Sequence, residues 1–194
     1  MKGAPTGFLS WRESRMANKL RKTLGSPDAP WIMRLKRLMD TQPKETVARW
    51  CLGYAEGHIL PIYERRRPGD PRPRRALKAS RAWFLGQVKL PVVKHIILDE
   101  CHAAARELDH DPAAQAAARA CGQAASCCHA AGHALGLAYY GAAALAYDQT
   151  GLEEARETYE LIAARECGKM EAALLETIAA MDAPSSDISK EGRP

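Results

Sequence analysis

The chain has 194 residues, of which 46% are hydrophobic and 26% charged, and a formal net charge of +5. That length suits one domain with a real core and a loose extension at each end, and the composition argues against a membrane span or a disulfide-stapled framework. The charge is divided unevenly: residues 1–94 carry 21 Lys and Arg against 7 acids, and residues 95–194 carry 7 against 16.

Residues 1–27 mix Gly, Pro, Ser and basic residues with little periodicity. They read as a basic, loosely attached arm in which Trp11, Met16 and Leu20 could form a short docking helix. The start MKGAPTGFLSWRESR has no continuous apolar segment of signal-peptide length, so the chain is expected to stay in the cytoplasm. The domain proper is expected over 28–182.

Asp28-Ala-Pro starts a first helix over Trp31–Asp40, with Trp31, Ile32, Leu35 and Leu38 on one face. A second covers Lys44–Arg65, with Val47, Trp50, Cys51, Tyr54, His58 and Ile62 at helical spacing. Pro61 should kink it or end it one turn early. After the loop Arg67-Pro-Gly-Asp70, Pro71 and Pro73 fit the first turn of a third helix, where no internal amide bond is lost. Its buried stripe is Ala76, Leu77, Ser80, Trp83 and Phe84, and Gly86 marks its end.

A fourth helix over Pro91–Leu108 is expected to bury Val92, His95 and Ile96. Asp111-Pro112 then caps a nearly charge-free tract of small residues running to Tyr147, read as one long helix or two nearly collinear ones. Small side chains on every face let neighbouring backbones come close, so this tract should be the central spine. Its alanines and glycines face lipid poorly, which disfavours a span. A sixth helix over Leu152–Met181 carries Tyr159, Ile162, Cys167, Met170, Leu174 and Ile178, and the tail 183–194 reads as disordered. No strand candidate appears. The expected fold is all-α: a compact bundle of about six helices around the Ala-rich one.

Candidate chemistry concentrates in the spine. His129 and His133, at i and i+4, would project from one helical face, and Asp99 with His102 could face them from the preceding helix as metal ligands. The bland reading, histidines hydrogen-bonded inside the bundle, is preferred, and neither a metal nor any other cofactor is expected. Cys127-Cys128-His129 suggests an activated thiol, but neighbouring helical residues diverge by about 100° and a small-residue spine denies the exposure a reactive thiol needs. The six cysteines, with no CxxC pair, read as buried free thiols. Trp50, Tyr54 and His58 form an aromatic stripe that is core in the simplest reading and a partner anchor in the other.

The charge asymmetry also has two readings. The acidic carboxy-terminal helix can pack beside basic amino-terminal ones, or Arg65, Arg66, Arg67, Arg72, Arg74 and Arg75 can form a face for an acidic partner. No aromatic interleaving or nucleic-acid motif accompanies these arginines, so neither nucleic acid nor membrane is an expected partner.

The run from Asp70 through Arg72-Pro-Arg74-Arg75 to Arg81-Ala-Trp83, with Cys101-His-Ala-Ala-Ala-Arg106 and the tract bearing His129 and Gly-His133-Ala, resembles a family of small bacterial all-helical immunity proteins, the immunity protein 5-like domains. The resemblance covers roughly residues 45–148. It implies a non-enzymatic antidote that binds a cognate protein toxin, with Arg72, Arg74, Arg75 and Arg81 as candidate partner contacts. His102, His129 and His133 look like family positions, while Gln123 stands where the family's pattern has histidine. The alternative is a helical protein binding a metal or small ligand around His102, His129 and His133, with enzymatic activity on that site. A nucleic-acid module using the arginines is a third reading.

Overall fold

The computed structural model describes residues 20–183. Among them are seven helices and no strand: α1 (Pro30–Asp40), α2 (44–66), α3 (Arg72–Phe84), α4 (90–106), α5 (Pro112–Ser126), α6 (131–150) and α7 (Arg156–Asp182). Residues 1–19 of the expected arm and 184–194 of the expected tail lie outside the described residues. The remainder of the arm packs on the body. Leu24 is buried, its N–H donates to Tyr139 O at 3.3 Å, and Tyr147 Oη donates to Arg21 O at 2.6 Å.

α5 is the centre, packed against α2, α3, α4 and α6. Asp111 caps it, its Oδ1 accepting from Ala114 N–H at 3.2 Å, and Pro112 occupies the first turn. Alanine supplies most of its surface, so helices on several sides approach it closely without a large side chain to interlock. The one long buried polar side chain there, Gln115, donates to Ala105 O at 3.0 Å and to Asp109 Oδ1 at 2.9 Å, which removes the penalty of an unmet buried amide.

The alanine-rich tract is neither one helix nor a collinear pair. After Ser126 the amides of Cys127, Cys128 and His129 bond to carbonyls three residues back, at 3.2, 3.4 and 3.1 Å, and Ala130 is extended. The chain then reverses, so α6 returns along α5 and packs on it. High alanine propensity could not keep the helix going, because folding back buries apolar surface that a straight rod would leave in water.

α2, α4 and α6 each contain one widened π turn, at Ala55–Ile59, Ile96–Cys101 and Leu137–Gly141, and all three rest against α5. The turn in α2 accounts for one departure from the simple helical reading. Pro61 neither ends nor shortens α2, because it falls in the first turn after the π turn, where the hydrogen-bond register has already shifted. In α4 the buried face is Val93, Ile97 and Cys101, whereas Val92 and His95 are exposed.

α7 begins at Arg156 rather than Leu152 and packs on α1, α2 and α6. Trp50 and Tyr54 of the aromatic stripe are core, with Trp50 Nε1 donating to Met170 O at 2.9 Å across α2 and α7. His58 lies in the π turn and is exposed, its ring 4.4 Å from that of Tyr54. The packing of acidic α7 beside the basic amino-terminal region is direct: Arg21 pairs with Glu160 and Arg34 with Glu171, each at 3.2 Å.

Candidate partner-binding surface

The arginines of the α2–α3 corner are answered by carboxylates of this chain. Arg65 and Arg66 converge on Asp148 at 2.6 and 3.1 Å, and Arg66 also reaches Asp111 at 3.1 Å. Arg74 grips Glu64 with two bonds of 2.6 Å, and Arg81 grips Glu56 at 2.9 and 2.6 Å. Arg75 lies 3.0 Å from Glu100. Planar guanidinium groups suit these two-point contacts, which fix α3 against α2 and α4. Arg67 has no ion pair among the described residues and lines a shallow depression of about 580 Å³ with Arg66, Asp70, Arg72 and Arg75.

Arg72 is the centre of this corner. It binds Asp70 through Nε and Nη2, and Glu107 through Nη1 and Nη2 at 2.8 and 2.7 Å. Asp70 Oδ2 also accepts from Tyr63 Oη at 2.6 Å, and its Oδ1 from the Arg72 backbone N–H at 3.1 Å. The Arg72 bonds are the main reason the Asp70 carboxyl is held down at about 2. The four arginines expected as partner contacts are therefore close together on α3, yet each is already engaged by a neighbour.

The histidines meet at the junction of α4, α5 and α6. His129 sits in the α5–α6 turn and His133 at the head of α6, so they do not share a helical face, but the turn brings their rings to 4.9 Å. His133 Nδ1 is 2.9 Å from Gln123 Oε1. The His102 ring lies on Gly122, where a Cβ would be 2.5 Å from Cε1, and Gly136 leaves equal room for Gln123. These two glycines let long polar side chains cross helix interfaces where alanine would collide with them.

Asp99 is not part of this junction. It is exposed and 2.7 Å from His95 on its own helix. Among the described residues, no group of three or more His, Cys, Asp and Glu side chains is arranged to hold a metal ion. The turn also places Cys128 Sγ 3.8 Å from His129 Nδ1. All six thiols are nevertheless buried. Burial pushes the Cys128 thiol up, and holds Cys101 and Cys167 at about 12, the opposite of nucleophile activation.

Burial also lowers the proton affinity of His102, aided by Arg119, Arg106 and His133, and that of His129, aided by His133, Lys94 and Lys44. Nothing in the spacing of the chain marks Arg106 and Arg119 as neighbours of His102. Arg119 is the lone charge of the tract, a signal that pointed to the position without revealing what it faces.

Taken together, these features define an all-α protein with a small-residue core, an ion-paired arginine corner and a cationic histidine junction. The family described as "Imm-5 like putative immunity protein" matches residues 37–173, and the chain belongs to that family. No curated protein and no solved structure matches it. No helix among the described residues is long and apolar enough to cross a membrane.

Proposed function

We propose that this protein is a non-enzymatic antidote of a bacterial cell, acting in the cytoplasm by binding a cognate protein toxin and blocking it. Membership of the immunity-protein family over residues 37–173 carries the reading. The burial of all six thiols, which denies them the exposure a nucleophile needs, fits a binding role. On this reading the arginines of α3 act first as braces. A partner reaches Arg72, Arg74, Arg75 or Arg81 by competing with carboxylates already in place, which makes them rim contacts.

The test is to capture partners of the tagged chain from native lysate, release them with denaturant, and express the released polypeptide alone. A polypeptide that arrests growth alone and is harmless when co-expressed with this chain is the expected outcome. A captured protein without toxicity, or toxicity that co-expression does not relieve, would overturn the proposal.

A further inference from the structure

The cations of the histidine junction differ from the arginines of α3 in lacking internal partners. Lys44, Lys94, Arg106 and Arg119 form no ion pair among the described residues, although the chain offers paired carboxylates to most arginines between 65 and 81. They are linked in space through the histidines. His102 packs on Gly122, three residues along α5 from Arg119, and Arg106 follows His102 by one turn of α4. The His129 and His133 rings meet at 4.9 Å, and Arg119 and Arg106 beside His102, with Lys94 and Lys44 beside His129, add to burial in lowering those rings' proton affinity. Of the two carboxylates nearest in sequence to His102, Glu100 is paired with Arg75 and Asp99 is tied to His95.

Collecting like charges on one face without counter-charges costs stability, and an acidic surface brought against them relieves that repulsion. Aromatic groups lie under the same cations. The Arg119 guanidinium is 6.0 Å from the Tyr140 ring, and Lys44 Nζ is 4.9 Å from the ring of half-buried Trp83. Trp83 meets Phe84 edge-on at 4.9 Å, and the next residue, Leu85, is 70% exposed. Cations backed by aromatic rings beside exposed aliphatic surface are the composition of a protein-binding hot region, whereas a phosphate track needs only the charge.

We propose that this seam, from Lys44 and Lys94 through His129 and His133 to Arg106 and Arg119, is the docking surface for an acidic segment of a protein partner. The inference rests on the partner-binding reading above and names the chemistry of that partner. It moves the main contact from the arginine corner, where charge is satisfied, to the junction, where it is not.

The experiment titrates the full chain with a fluorescently labelled dodecaglutamate peptide at low ionic strength, followed by anisotropy. Lys94→Gln with Arg106→Gln removes two exposed, unpaired charges, so folding should be unaffected, as circular dichroism can verify. This double variant should weaken binding at least tenfold. Arg34→Gln with Arg37→Gln on α1 removes the same net charge and should change it less than threefold. No peptide binding, or equal weakening by both double variants, would overturn the seam. A single-stranded DNA 12-mer bound more tightly than the peptide at the same salt would overturn the choice of a protein occupant.

The peptide result does not depend on a toxin. A neutralised toxin whose affinity is unchanged by Lys94→Gln with Arg106→Gln removes the seam and leaves the antidote. Seam-dependent peptide binding without any neutralised toxin does the reverse.

Discussion

Replacing Asp70 by Asn keeps the side-chain shape but removes the charge that Arg72, Tyr63 and the Arg72 amide all address. The carboxyl is held near 2 against an ordinary value of 3.8, and the side chain is 18% exposed. At 1.36 kcal/mol per pKa unit, that difference amounts to about 2 kcal/mol of folding stability at neutral pH. Because the folded-state value is depressed, the contribution is fully present above pH 3.8 and fades as pH falls towards 2. By pH 3 roughly half remains. Urea unfolding of both proteins should thus show Asp70→Asn less stable by about 2 kcal/mol at pH 7, with a gap that narrows in acid. A gap under about 0.5 kcal/mol at pH 7, the range of ordinary surface substitutions, or one that stays constant to pH 3, would refute the assignment of this network as a structural anchor.

The remaining predictions test the junction and the core. Gly122→Ala forces the His102 ring aside and should destabilise by about 1 kcal/mol; in a His102→Ala background the same change should stabilise, since alanine is the better helix former. Opposite signs in thermal melts are the required result, and equal signs would mean that ring and glycine are not coupled. The depressed proton affinities of His102 and His129 mean that their contribution to stability is intact above the unfolded value near 6.5 and lost as pH falls below it. Melting temperatures between pH 8 and 5.5 should decline, and His102→Gln with His129→Gln should flatten that decline; an unchanged slope counts against the buried-histidine account. An aromatic disulfide reagent should modify the six cysteines readily in denaturant and very slowly in the native protein. Fast native labelling of even one thiol would contradict the packing described around it.

Several features were legible because they depend on neighbours close along the chain. The Asp111-Pro112 cap, the prolines opening α1 and α3, and buried faces at Ile32 and Leu35 of α1 and at Ala76, Leu77 and Ser80 of α3 each follow from local geometry, and the structure has them, whereas Asp28 lends α1 no side-chain cap and Trp83 and Phe84 are only half-buried. The π turns were not legible. Nothing local to Ala55–Ile59 or Ile96–Cys101 demands an extra residue per turn, and in α4 the adjacent Val92 and Val93 are equally apolar, so only packing decides that Val93 is the buried one. The reversal at Cys127–Ala130 was hidden for a related reason, since alanine favours helix on both sides and marks no boundary.

Amino-acid order alone determined the all-helical class, the small-residue spine at the centre and the family resemblance carried by Asp70 to Trp83, because propensity, capping and spacing act over a few residues. Only the tertiary structure decided which charges are spent. Coulomb partners lie tens of residues apart: Asp148 answers Arg65 and Arg66, and Glu107 answers Arg72. Arg106, Arg119 and Lys94 meet the histidines with no such answer. The arginine-rich segment that stands out in the sequence is largely neutralised within the fold, and cations drawn from α2, α4 and α5 are left unpaired beside the histidines of the quieter alanine tract, because ion pairing depends on distance in space.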